Sequence, residues 1–189
     1  MTKTYLTIED VRKLVDAATL ERDRLVVLLL SQTGVRVSEL VGLKVGDIGQ
    51  DTLTIRHLKS RGEKYRQVPV SPYLAKALHS FCNGVAGDNR VFPITRIRVQ
   101  GILRTLAERA GLQGKVLTHP NTGKKHYISP HRLRDALAVN WLRVRGDLEG
   151  QKALQDMLGH ASFSTTARYF KLGMDDVRKV YQDVMANVV

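Results

Sequence analysis

The sequence predicts a mainly helical domain carrying one small antiparallel β-sheet, an α+β arrangement. Three observations carry this. Apolar residues recur at helical spacing through most of the 189 residues. One stretch after Gly46 switches to period two. Gly and Pro punctuate the joints between these textures. At 43% hydrophobic content, a chain of this length can bury one sizeable core.

Thr7 precedes Glu9 and Asp10, a helix N-terminus with acids in its first turn. Ile8, Val11, Leu14, Val15 and Ala18 mark the apolar face of that helix. A second helix runs from about Leu20 to Ser31. Its run Leu25-Val26-Val27-Leu28-Leu29-Leu30 is apolar enough to be central, and Thr33-Gly34 stops it. Ser38 to Leu43 reads as a short third helix. Thr52 to Arg56 and Tyr65 to Val70 alternate at period two and pair as a hairpin. The turn between them, Lys59 to Lys64, is cationic. Helices follow over about Pro72–Phe81 and Arg96–Ala110. The stretch Thr118–Lys125 is turn-like and caps a small ribbon. Pro130 opens a helix at its first turn, and that helix runs to about Val144. Shorter helices are expected over 150–158 and 163–170. Met174, Val177, Val180, Tyr181, Val184 and Val188 stripe a C-terminal helix.

Thirty Lys and Arg stand against eighteen Asp and Glu, a formal +12. Between residues 95 and 146, eleven bases face only Glu108 and Asp135, a surplus of nine of those twelve charges. So one-sided a block repels itself unless an anion compensates it. That favours a nucleic acid over a merely solvated basic face or an anionic membrane. The single cysteine, Cys82, excludes an internal disulfide framework and a Cys-rich zinc module. The longest apolar run is far short of a bilayer span, and the first residues carry no signal core. The reading is a soluble, cytosolic protein with no membrane partner. His119, His126 and His131 lie close in sequence without an H-E-x-x-H or Cys pairing, so no metal is expected.

Phosphodiester chemistry without a metal needs a nucleophile and cations on the non-bridging oxygens. It also needs an acid for the leaving oxygen and hydrogen bonds that hold the phosphate in line. Arg36 follows the glycine stop, and Glu39 lies three residues on, close enough to orient its guanidinium. His131 and Arg134 are i and i+3 on the Pro-led helix and share a face near its N-terminus. His160 stands just past a glycine, and Tyr169 follows nine residues later. Taken singly, each is an ordinary surface arginine, polar first turn or half-buried tyrosine.

Taken in order, they form a set: Thr33-Gly34-Val35-Arg36-Val37-Ser38-Glu39-Leu40, a hairpin lysine, His131-Arg132-Leu133-Arg134, Leu158-Gly159-His160, then Tyr169. This set strongly resembles the tyrosine recombinase (phage integrase) family, from about Leu6 to Lys171. The resemblance implies that family's catalytic-domain fold and a site-specific DNA recombinase. Tyr169 would attack a DNA phosphate, form a 3′-phosphotyrosine and release a 5′-hydroxyl, with no metal, ATP or other cofactor. Arg36 and Arg134 would bind the non-bridging oxygens. His131 would serve as general base or hydrogen-bond partner, His160 would donate to the phosphate, and Glu39 would support the first box. Lys59, directly after the first strand, would be the general acid for the 5′-oxygen. Lys64 is its alternative, because the turn is about two residues longer than in short-turn members. Arg96, Arg98 and Arg104 are expected along the DNA, as are Lys64 and Arg132.

The sequence departs from the family pattern twice. Asp135 stands where many relatives carry a second histidine. The first box begins at residue 33, which leaves no room for the N-terminal helical domain that completes the usual clamp around DNA. Residues 1–173 would be a catalytic domain, either a natural single-domain member or an excised one. Residues 174–189 would be a C-terminal helix packing on its own domain or on a neighbour. The implied assembly is a homo-tetramer on double-stranded DNA, with a monomer possible without it. Two other readings use the same residues: a catalytically silent DNA-binding regulator of the family, and a type IB topoisomerase-like relaxing enzyme. The filled catalytic positions weigh against the first. The hairpin, the Leu-Gly-His box and the short spacing to Tyr169 weigh against the second.

Overall fold

Every side chain from Leu25 to Leu30 is buried. A helix that is apolar all round needs neighbours all round. The computed structural model, which describes residues 5–57, 64–113, 117–118 and 125–159, supplies them. The run lies in α2 (Glu21–Thr33). Around it pack α1 (Ile8–Asp16), α3 (Val37–Gly42), α4 (Pro72–Phe81), α5 (Arg96–Arg109) and α6 (Pro130–Val144). α7 (Leu148–Leu158) packs on α6 and on the hairpin of β1 (Thr52–His57) and β2 (Lys64–Pro69). That hairpin is antiparallel, with Thr52 opposite Pro69 and His57 opposite Lys64. The expected ribbon is also present, as β3 (Leu117–Thr118) paired with β4 (Lys125–His126). Among the described residues, no helix is long and apolar enough to cross a membrane.

The helix ends follow from local chemistry. At α1, the Thr7 hydroxyl accepts from the Asp10 N–H at 3.2 Å, and the Asp10 carboxylate accepts from the Thr7 N–H at 2.7 Å. This is a reciprocal capping box. α2 runs two residues past Ser31. The Thr33 hydroxyl donates to the Leu29 carbonyl at 2.6 Å, and Gly34 then turns the chain at φ 62°. α7 starts at Leu148, earlier than its apolar spacing suggests, because Asp147 accepts from the Gly150 N–H at 2.7 Å and caps it. A 3-10 turn over Val45–Asp47 has no sequence-level forecast, since three residues are too few to show a period. The Asp47 carboxylate holds it by accepting from the Lys44 N–H at 2.8 Å. The helix expected over 163–170 and the stripe over 174–188 lie outside the described residues. So do Lys59, His160 and Tyr169.

The hairpin has an inner and an outer face. Leu53, Ile55 and Val68 are buried, while Thr54 and Gln67 face out and hydrogen-bond each other at 3.1 Å. The same alternation puts Arg66 on the inner face with Val68 and Val70, directly opposite Ile55. Lys64, read from sequence as the end of the turn, is the first residue of β2, because the ladder extends one pair beyond the Tyr65–Val70 alternation.

Candidate active site

The Gly34 stop delivers the chain directly to α3, with Arg36 at its N-cap and Glu39 as its third residue. Glu39 reaches back. Its Oε2 accepts from the Arg36 backbone N–H at 2.7 Å, and its Oε1 accepts from the Arg36 guanidinium at 3.0 Å. A second arginine arrives from β2. Arg66 donates through both terminal nitrogens, at 2.9 Å to Oε1 and 2.9 Å to Oε2. Its Nε donates to the Met157 carbonyl at 3.0 Å.

Little water reaches this pair, since the Glu39 side chain is 3% exposed and that of Arg66 is 8% exposed. Burial alone would raise the Glu39 pKa. The Arg66 hydrogen bonds, the Arg36 backbone N–H and the two guanidinium charges outweigh burial and hold the carboxyl at about 2. The Arg36 side chain remains 44% exposed. It is therefore braced by a buried carboxylate yet reachable from solvent, which suits an anion clamp.

Arg134 sits on the second turn of α6 and is 3% exposed. One terminal nitrogen donates to the Gly34 carbonyl, and the other donates to the Leu158 carbonyl at 2.7 Å. Both acceptors lie at helix C-termini, where carbonyls lack intrahelical donors and carry negative potential. Close packing permits the arrangement. A Cβ added at Gly34 would come within 2.5 Å of a Leu158 methyl and 3.0 Å of a Leu137 methyl. Gly34 is thus required for its positive φ and for its missing side chain. Its carbonyl ties Arg134 to the segment that carries Arg36.

His131 lies one turn earlier on α6, with a side chain 59% exposed and Nε2 3.8 Å from Asp135 Oδ1. Arg132 donates to Asp135 Oδ2 at 2.7 Å. Asp135, the residue that departs from the family pattern, is buried, anchors the Arg132 guanidinium and lies beneath His131. Arg132, read from sequence as a DNA contact, has its guanidinium engaged on Asp135. Arg96, Arg98 and Arg104 stand exposed on α5. Sequence reasoning missed Arg66. The available signal was its place in the alternation with Val68 and Val70, since a charge on an inward face must find partners.

Residues 4–175 match the model of the phage integrase family, and the chain belongs to that family. Tyrosine recombinase XerA of Thermococcus kodakarensis is 30% identical over 94% of this chain and 61% of its own length. Tyrosine recombinase XerC of Xylella fastidiosa is 34% identical over 85% of this chain and 52% of its own length. This chain therefore spans between half and two-thirds of those relatives. The crystal structure of XerA recombinase matches at TM-score 0.71 and 30% identity, over 97% of this chain and 65% of that one. The catalytic domain of bacteriophage HP1 integrase shares the fold at TM-score 0.62 and 23% identity, over 88% of this chain and 86% of that one.

Proposed function

We propose that this chain is the catalytic unit of a site-specific DNA recombinase that cleaves and rejoins strands through a 3′-phosphotyrosine. The observation that carries the proposal is Arg36: solvent-reachable, held from behind by buried Glu39, and linked through Gly34 to Arg134. The scissile phosphate places its non-bridging oxygens on Arg36 and Arg134, where charge builds in the transition state. The Tyr169 hydroxyl attacks phosphorus, and the bond to the 5′-oxygen breaks. His131 assists the tyrosine proton, His160 donates to a non-bridging oxygen, and Lys59 protonates the leaving oxygen. The product is a phosphodiester to tyrosine, so a 5′-hydroxyl from another strand reverses the step without ATP.

The partner is double-stranded DNA, met in the cytoplasm. Exchange between two duplexes cuts four strands, so the working assembly is a homo-tetramer on DNA. The 174–189 stripe is proposed to pack on a neighbouring copy, with docking on its own domain as the alternative. An apolar groove of about 480 Å³ between α1, α2 and α6, lined by Val11, Val15, Leu28, Leu133 and Leu137 among others, has the chemistry to receive it. Arg96, Arg98 and Arg104 track the duplex backbone. Replacing all three with Ala should flatten the salt dependence of DNA binding, and an unchanged slope would remove them from the interface.

The test uses a DNA site recovered by pull-down. A nicked suicide duplex should trap a covalent adduct at that site, and supercoiled DNA without the site should stay supercoiled. Binding without an adduct points to the silent regulator. Relaxation without site preference points to the topoisomerase-like enzyme.

A further inference from the structure

We propose that Arg66 is a positioning residue of the strand-cleavage site, joining the hairpin, the Arg36 box and the end of α7 into one frame. The proposal rests on the recombinase reading above. Three hydrogen bonds from one guanidinium carry it: two to Glu39 at 2.9 Å and one to the Met157 carbonyl at 3.0 Å. All three guanidinium nitrogens are used, and a lysine ammonium cannot reproduce that planar pattern.

Each partner leads to a residue of the proposed chemistry. Glu39 holds Arg36 through both backbone and side chain. Met157 stands three residues before His160. Arg66 itself lies on the strand that receives the turn carrying Lys59. A buried ion pair is a weak source of net stability compared with apolar side chains of similar volume. An aliphatic residue at this inward position would serve the core as well. The pair is better explained by the alignment it imposes.

Glu39 reports on that alignment. It faces Arg36 from α3 and Arg66 from β2. A cavity of about 230 Å³ beside it is further lined by Lys44, which precedes the 3-10 turn, Asp47 within it, Arg56 of β1, and Arg90. Without Arg66, burial is opposed at contact distance by Arg36 alone among these groups. Glu39 then takes up a proton at higher pH and loosens its hold on Arg36.

The experiment compares the parent with Arg66→Met, Arg66→Lys and the double variant Arg66→Met/Glu39→Gln. Single-turnover cleavage of the suicide duplex is followed over about pH 5 to 8, beside equilibrium binding of the same DNA. Arg66→Met should cleave about tenfold to a hundredfold more slowly, while binding changes by less than about threefold. Its rate should show an acid limb beyond the parent's own, and the double variant should lose that added limb. Arg66→Lys keeps a charge without the fork, so it should fold and recover cleavage only in part. Parallel losses of cleavage and binding with no added acid limb would overturn the proposal and leave Arg66 a purely stabilising residue. Full recovery in Arg66→Lys would also overturn it.

Hydrogen exchange reads the frame without catalysis. Arg66→Met should speed exchange at amides 36–40 and 157–159, and Arg66→Lys should do so more weakly if the Met variant does not fold. Unchanged exchange at both segments contradicts the proposal. Parent and Tyr169→Phe are run alongside. If the parent forms no adduct, the recombinase reading fails, while the exchange result still judges the frame.

Discussion

Arg66 and Glu39 meet as a two-armed ion pair, 2.9 Å in each arm, formed between β2 and α3. Its acid behaviour follows from the Glu39 pKa, held at about 2 against an ordinary 4.5. A carboxylate with a depressed folded pKa stabilises the fold fully above its unfolded value. That contribution is lost as pH falls through the folded one. Here it is present above about pH 4.5 and lost toward about pH 2, and it is worth on the order of 3 kcal/mol. In urea unfolding, Glu39→Gln should therefore be much less stable than the parent near neutral pH, with the gap narrowing from pH 5 toward pH 3. A gap independent of pH would contradict this.

Gly34→Ala should destabilise the fold by on the order of 2 kcal/mol, from the left-handed backbone and the clash with Leu158. The same change displaces a carbonyl that holds Arg134. Cleavage should then fall more than DNA binding. Thermal unfolding and single-turnover cleavage check both parts, and a variant as stable and active as the parent would refute the packing argument.

Lys59 and Lys64 are separated by leaving-group chemistry. Lys59→Ala should cleave an ordinary suicide duplex about a hundredfold more slowly or worse. A 5′-bridging sulfur needs no acid and should restore its rate. Lys64→Ala should show no such rescue. Rescue of Lys64→Ala in place of Lys59→Ala moves the role to Lys64.

Removing residues beyond 173 should lower synapsis of two DNA sites more than binding of one. Gel mobility with one-site and two-site DNA measures both. Equal losses would place the C-terminal segment on its own domain.

The helical core was legible because a period of 3.6 repeated over several turns is a strong local signal. Arg36, Glu39, His131 and Arg134 were legible because each sits in a short box whose order along the chain is distinctive. What holds them was less so. The carbonyls that receive Arg134 come from Gly34 and Leu158, far apart in the chain, and no sequence window contains all three. Arg66 carried no expectation of its own in the sequence, although Val68 and Val70 share its face. Arg132, expected along the DNA, also pairs with Asp135 at i+3, a partner that the basic surroundings obscured. The start of α7 shifted because the Asp147 cap outweighed the apolar spacing.

In the proposed reaction one tyrosine becomes covalently joined to DNA. The most direct measurement is mass spectrometry of the adduct trapped on a suicide duplex, digested to its DNA-linked peptide. The account predicts a 3′-phosphate linked to Tyr169, with no adduct from Tyr169→Phe. A link to any other residue, or an adduct that survives Tyr169→Phe, would contradict it.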